Sequence, residues 1–376
     1  MQFRTIDEGL GHRRELWIDD DTKVAHLWVF DLSMRIGSAE VRMAGIGDVH
    51  TERAHRMKGY MRYLYEDTVR YMIDEAYDVS MLFGIPNFYT KFGYAASLPK
   101  PTFTIQTRDA EAAVSPVVLG TPRPIEPADI PRVLELHNRE NAERTGTLVR
   151  KVGQFEKFQG THWDRMSEAV LWEDADGALL AYAVWDRRPT EVNVGELGVR
   201  DPSLLPALLR VFAQQAVEKR CSEITFFLPP DHAFSEYAQQ FGVTWHITYP
   251  RYSDAMMRIL NQQPLFEKLL PVLSERLAWR TDVHPPECLS LMTDLGVTTL
   301  GFDGARVVFR DPTTAPVSLS LSQDRLMQLV MGYRGARDIV NSGDGVLAGI
   351  TASDLVPLLD VMFPRGTPFM WTSDYF

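Results

Sequence analysis

Arg56, Lys58 and Gly59 stand together in the run Arg53-Ala54-His55-Arg56-Met57-Lys58-Gly59-Tyr60. Two cations beside a glycine suit an anion, because the glycine has no Cβ to hold a phosphate away from the backbone. Where such a turn opens a helix, the first unpaired N–H groups and the helix dipole add to the attraction. A second group with chemistry is Tyr89, a neutral proton donor at pH 7 that can be held in a dry pocket. Asp48 and His50 flank Val49 and offer a carboxylate and an imidazole as proton acceptors. Taken singly, each has a plainer reading: a solvated basic turn, a core tyrosine, surface histidines.

The elements that must position these groups can be read from spacing. Ala44–Val49 is an apolar, strand-like run just before the cationic turn. After it, Met61, Leu64, Tyr65, Val69, Met72 and Ile73 recur at intervals of three and four, which predicts one face of a helix. Val79–Phe83 predicts a second strand, and Pro86-Asn87 leads from it into Phe88-Tyr89-Thr90-Lys91-Phe92-Gly93-Tyr94. The order is strand, anion-binding turn, helix, strand, short helix.

Arg56-x-x-Gly59 at a strand-to-helix junction resembles the pyrophosphate loop of the GNAT acyltransferases, and Tyr89 through Tyr94 resembles the tyrosine-led short helix of the same family. The resemblance implies that Tyr89 points at the coenzyme A sulfur and protonates the leaving thiolate. It also implies coenzyme contacts at Val49, Thr51, Arg56, Met57, Lys58, Gly59, Tyr60, Asn87 and Tyr89, with acetyl-CoA as co-substrate. The aromatic tail Phe369-Met370-Trp371-Thr372-Ser373-Asp374-Tyr375-Phe376 resembles that of the three-domain Eis (enhanced intracellular survival) acetyltransferases. In that family a terminal phenylalanine carboxylate serves as base, so the resemblance implies this role for Phe376, with Asp48 or His50 as the alternative. Departures are present too. Met57 occupies a usually basic position, and Asp48 and Glu52 bring carboxylates near the phosphates. Asp7–Asp21 leaves about fifteen residues where two helices usually floor the acceptor pocket, enough for one short helix.

The chain has 376 residues, 45 % hydrophobic and 24 % charged, as expected of a soluble protein of two or three domains. Its net charge of −11 argues against nucleic-acid binding and mildly favours a cationic acceptor. No apolar run approaches a membrane span, and Met1–Glu8 does not read as a signal peptide. Cys221 and Cys288 lie in no metal-binding spacing, so no metal is expected and the cytoplasm is the default location.

Further along, strand Val192–Val199, helix Leu204–Lys219, strand Ile224–Leu228 and Phe241-Gly242 repeat the first unit's order. At the offset that aligns Phe241-Gly242 with Phe92-Gly93, Leu208 replaces Gly59 and Ala238 replaces Tyr89. The second copy is therefore read as degenerate, without a coenzyme site. The expected fold class is α/β (α+β): two tandem GNAT-like mixed-sheet domains, 1–108 and 109–262, then a domain at 263–376 that resembles the sterol-carrier-like domain closing the Eis family. The resemblance implies a homo-oligomer, a hexamer.

The function expected from these readings is acyl-CoA-dependent N-acyl transfer, above all N-acetyl transfer, to a primary amine of a small molecule. The alternative is a catalytically inactive GNAT-like binding or scaffold protein, favoured by the short N-terminal region and Met57.

Overall fold

The structure, a computed structural model, describes residues 1–154, 167–186, 188–280, 282–311 and 316–376. The first segment runs β1 (Gln2–Asp7), β2 (Gly11–Trp17), β3 (Lys23–Ile36), β4 (Ala39–Thr51), α1 (Tyr60–Asp74), β5 (Val79–Gly84), β6 (Ala95–Ala96) and β7 (Lys100–Gln106). Then come α2 (Thr107–Ala110), β8 (Arg123–Pro124), α3 (Ile130–Glu140), β9 (Ser167–Glu173), β10 (Leu179–Asp186), β11 (Asn193–Val199) and α4 (Leu205–Glu218). They are followed by β12 (Glu223–Phe226), α5 (Ala233–Ala238), β13 (Val243–Thr248) and β14 (Asp254–Ile259). The last part holds α6 (Gln262–Ala278), β15 (Cys288–Thr293), β16 (Gly296–Asp303), β17 (Arg306–Phe309), β18 (Ser318–Leu321), α7 (Gln323–Val330), α8 (Ala336–Asn341), β19 (Gly345–Ala348) and α9 (Ala352–Met362).

Three mixed sheets result, in the orders β1-β2-β3-β4-β5-β14-β6, β13-β7-β12-β11-β10-β9-β8 and β17-β16-β15-β18-β19. In the first, β4 and β5 are parallel with α1 crossing between them. In the second, β11 and β12 are parallel with α4 between. The two sheets exchange a strand. β7 leaves the first segment to pair with β12 and β13, and β14 returns to pair with β5. Sheet membership therefore crosses the expected divisions near 108 and 262. Alternation in β7 could not reveal this, because Phe103 and Ile105 would be equally well buried in either sheet.

The one short helix that Asp7–Asp21 had room for is absent. That stretch forms β2, which pairs with β1 and β3. Gly9 at φ +80° makes the tight turn, and Gly11 lies so close to β3 that a Cβ there would meet the Val29 carbonyl oxygen at 2.3 Å. With this hairpin in place, α1 is the first α-helix of the chain.

The sheet's two faces bury different cores. Ala44, Ile46, Leu82, Leu64, Tyr65 and Tyr89 pack on the α1 face. Met43, Met81 and Phe83 face the opposite way, onto α6, α7, α9 and the third sheet, together with Tyr375 and Phe376. Such alternation follows from the two-residue period of a strand. Residues of α7 also reach over: Gln328 donates from Nε2 to the Ala96 carbonyl at 2.7 Å, and Gln323 accepts from the Ile259 N–H at 2.8 Å.

Candidate active site

β4 and β5 are held together at four residue pairs, from Met43–Val79 to Ile46–Leu82. Beyond that point β4 continues to Thr51 while β5 stops at Gly84, so the strands part into a V. At the mouth of the V, β4 carries a bulge. Trp28 pairs with Gly47 and His26 with His50, so Asp48 and Val49 together oppose Leu27. Asp48 adopts φ +45° to allow it. A bulge takes backbone groups out of the ladder and re-aims them, which here affects Asp48 and Val49.

The cationic turn follows. Arg56 donates from Nε to the Thr51 carbonyl at 3.1 Å, Met57 is fully exposed at φ +63°, and Gly59 caps α1 at φ +81°. A Cβ on Gly59 would meet only Tyr63, at 3.8 Å. The space there is open, and the left-handed backbone is what calls for glycine here. A groove of about 460 Å³ lies against this turn, lined by Thr51, His55, Arg56, Met57, Gly59 and Tyr60 among others. Lys58 is exposed beside it.

Tyr89 opens a single 3₁₀ turn, Tyr89–Phe92, that ends on Gly93 at φ +76°. Its ring packs against Tyr65 and Phe88 with centroids 5.6 and 4.9 Å away, and is 7 % exposed. Burial, with Tyr94 adding to it, pushes its phenol up to about 12. Gly84 makes room: a Cβ there would come within 2.9 Å of the Tyr89 ring. Arg258 donates to the Phe92 carbonyl at 2.6 Å and Gln323 donates to that of Gly93, so the far end of the turn is tied down by two later segments. Asn87, at φ +61°, gives its N–H to the Tyr252 carbonyl at 3.2 Å.

On the other face of the V sits Phe376. Its ring presses on Gly45, where a Cβ would meet it at 2.9 Å, and lies between Phe30 and Phe83 at 5.6 and 5.5 Å. Its main-chain carbon is 3.4 Å from where a Gly47 Cβ would stand. Beside it is a hollow of about 180 Å³ lined by Leu10, Phe30, Asp31, Leu148, Gln154 and Tyr375 among others. The β1–β2 hairpin borders this hollow through Leu10. Asp48 directly follows Gly47 on β4, and His50 lies two residues further on, paired with His26 of β3. Asp48 is 3.2 Å from His26 Nε2, and His26 stacks on His50.

A network invisible to sequence spacing holds the tail. Arg150, buried, binds Asp374 at 2.6 Å and Glu196 at 2.6 and 2.9 Å. His137 and Tyr182 also contact Glu196, at 3.3 and 2.8 Å. Burial alone would raise the Glu196 carboxyl, but the Arg150 guanidinium outweighs it and holds that carboxyl below the usual range. For Asp374 burial wins and the carboxyl is raised. Breaking such a buried pair from one side typically costs about 3–5 kcal/mol. Trp371 adds a bond from Nε1 to Asn141 at 3.1 Å.

Residues 5–97 match the family model described as an acetyltransferase (GNAT) domain. Among solved structures the chain is similar to a conserved protein of Enterococcus faecalis V583, with TM-score 0.76, 15 % identity and coverage of 98 % of this chain and 90 % of that one. A GCN5-related N-acetyltransferase from Kribbella flavida gives 0.69, 20 % identity, and 97 % and 86 % coverage. Eis1 from Mycobacterium abscessus gives 0.66, 15 % identity, and 99 % and 92 % coverage. No curated protein sequence matches. These likenesses extend over nearly the whole chain in fold, and the parted β4–β5 pair with its turn and helix falls inside the matched domain. Residues 5–97 are a GNAT acetyltransferase domain, and the chain has the architecture of a GNAT-type N-acetyltransferase.

Proposed function

We propose that the protein transfers an acetyl group from acetyl-CoA to a primary amine of a small molecule. The observation that carries this reading is the division of groups across the V: Tyr89 on the α1 face, the Phe376 terminus against Gly47 on the other. The coenzyme's pyrophosphate lies at the Arg56–Gly59 turn, against the α1 N-terminus. Its thioester reaches through the gap between β4 and β5, near the bulge at Val49. The acceptor approaches from the opposite face.

The α-carboxylate of Phe376 takes a proton from the acceptor ammonium, directly or through a water. An ordinary terminal carboxyl has a pKa of about 3.3–3.7 and is ionised at pH 7. The freed lone pair attacks the thioester carbonyl, and backbone donors near Val49 polarise its oxygen. As the C–S bond breaks, the departing thiolate takes the proton of Tyr89, and the proton that the adduct nitrogen sheds on becoming an amide returns Tyr89 to its phenol through solvent. A phenol raised to about 12 stays protonated over the whole working range, although the same burial makes it a weaker acid. Acid–base help of this kind is worth about 10²–10⁴-fold, and holding both substrates at the gap supplies much of the rest.

The reading is tested by coenzyme-thiol release with acetyl-CoA against polyamines, aminoglycosides, lysine peptides and amino acids. Release with at least one amine is expected. Saturable acetyl-CoA binding with no release across the panel would replace this reading with a non-catalytic binding protein.

A further inference from the structure

A second, larger cavity opens on the same face of the first sheet as Phe376. It has a volume of about 410 Å³ and lies where the two exchanged strands meet the tail. Among the described residues its walls include Phe83 of β5, Leu98 and Pro101 around the start of β7, Ala255 of β14, and Phe369 and Met370 of the tail. Tyr375 borders both this cavity and the hollow beside Phe376, and its ring packs on Phe83 at 4.2 Å. At the rim, the Lys100 ammonium is paired with Asp254, and Thr102 and Thr248 supply hydroxyls.

We infer that this cavity binds the apolar arm of the acceptor, so that the substrate class is a primary monoamine carrying an alkyl or aryl group. The inference rests on the proposed function for the position of the reacting amine. Its volume is in the range of small-molecule sites, and its walls are of the apolar type such sites use. The acyl group is not the occupant. A chain longer than acetyl that emerges between β4 and β5 runs into the Phe376 ring, which already touches Gly45. The acceptor starts on the correct side of that ring: an ammonium at the Phe376 carboxylate has Tyr375 and then the cavity as its next neighbours. A second ammonium is disfavoured there, because an unpaired charge is costly among apolar walls and the nearby Asp254 carboxylate is already taken by Lys100.

The test is a series of linear primary amines from propylamine to octylamine, with acetyl-CoA saturating and thiol release as readout. KM is expected to fall about four-fold per added methylene until the cavity is filled. 1,8-Diaminooctane should lose most of that gain. Thr248→Phe and Thr102→Trp, both at rim positions on strands that accept aromatics, should flatten the series, while acetyl-CoA affinity and melting temperature show that the protein is intact. Turnover with a KM independent of chain length, or a slope unchanged in both variants, overturns the inference and leaves the proposed function standing. If no amine releases thiol, the proposed function fails instead. Calorimetry of octylamine on the acetyl-CoA-loaded protein then decides the cavity: binding that both variants lose supports it, and no binding overturns it.

Discussion

The first and second sheets are built on one plan and differ where the chemistry is. Each has a parallel pair with a helix crossing between, and each ends its unit in a Phe-Gly whose glycine is left-handed: Gly93 at φ +76° and Gly242 at φ +74°. In the first, the strand-to-helix turn is cationic, opens on a groove and caps α1 with Gly59. In the second, Asp201 caps a Pro-Ser-Leu turn by accepting the Ser203 N–H at 2.8 Å, and Leu204, Leu205 and Leu208 are buried. Ala238, where the first unit has Tyr89, is wholly enclosed. The second unit has turned its interior to another use, for Glu196 on β11 receives Arg150 and so fixes the tail that ends at Phe376. A fold of this kind is a frame, and a few turn and terminal residues decide whether it can bind a coenzyme.

Four measurements would break or sharpen that contrast. The largest effect is expected at the tail. One glycine added after Phe376 keeps every side chain and moves the carboxylate by about 3.5 Å. Turnover should fall about 10²–10⁴-fold, with melting temperature and acetyl-CoA affinity unchanged. Full turnover in the extended protein together with a dead Asp48→Asn would put the base on β4.

Tyr89→Phe comes next. The ring still packs on Tyr65, but the proton donor is gone, so turnover should drop about 10²-fold with coenzyme affinity kept. Wild-type turnover in that variant would make Tyr89 a packing residue.

The third measurement pairs the two helices. Gly59→Trp should abolish acetyl-CoA binding in calorimetry, since a side chain at a left-handed position would fill the phosphate site and strain the cap. Leu208→Ala, near the start of α4 in the second unit, should leave that binding intact and cost about 2–5 kcal/mol of stability in a denaturant titration. If Leu208→Ala weakened coenzyme binding and Gly59→Trp did not, the assignment of the site to the first unit would be reversed.

The smallest effect concerns pH. Burial pushes the Glu140 carboxyl up to about 7, although the Val199 N–H pulls it the other way. A carboxyl raised in the folded state contributes stability below its unfolded pKa and loses it as pH rises through the folded value. Glu140→Gln should therefore gain melting temperature relative to wild type between pH 5 and pH 8. An unchanged difference across that window would place the Glu140 titration elsewhere.

The amino-acid order alone determined the local units. The spacing of Met61, Leu64, Tyr65, Val69 and Met72 specifies α1, and the glycines at 59, 93 and 242 mark left-handed turns that few other residues accept. Those are short-range effects, settled within a few residues of backbone sterics and one buried stripe. The helix that Asp7–Asp21 had room for failed to appear because pairing with β3, sixteen residues on from Asp7, outweighed local preference. The exchange of β7 and β14, the opposite faces taken by Tyr89 and Phe376, and the clamp of Arg150 on Glu196 and Asp374 needed the tertiary structure. Alternation shows that a strand has a buried face but carries no label for the sheet it joins, and an arginine in a loop carries none for a carboxylate 224 residues away. Burial selects those partners, because a charge or an apolar face leaves water only where the rest of the chain completes its surroundings.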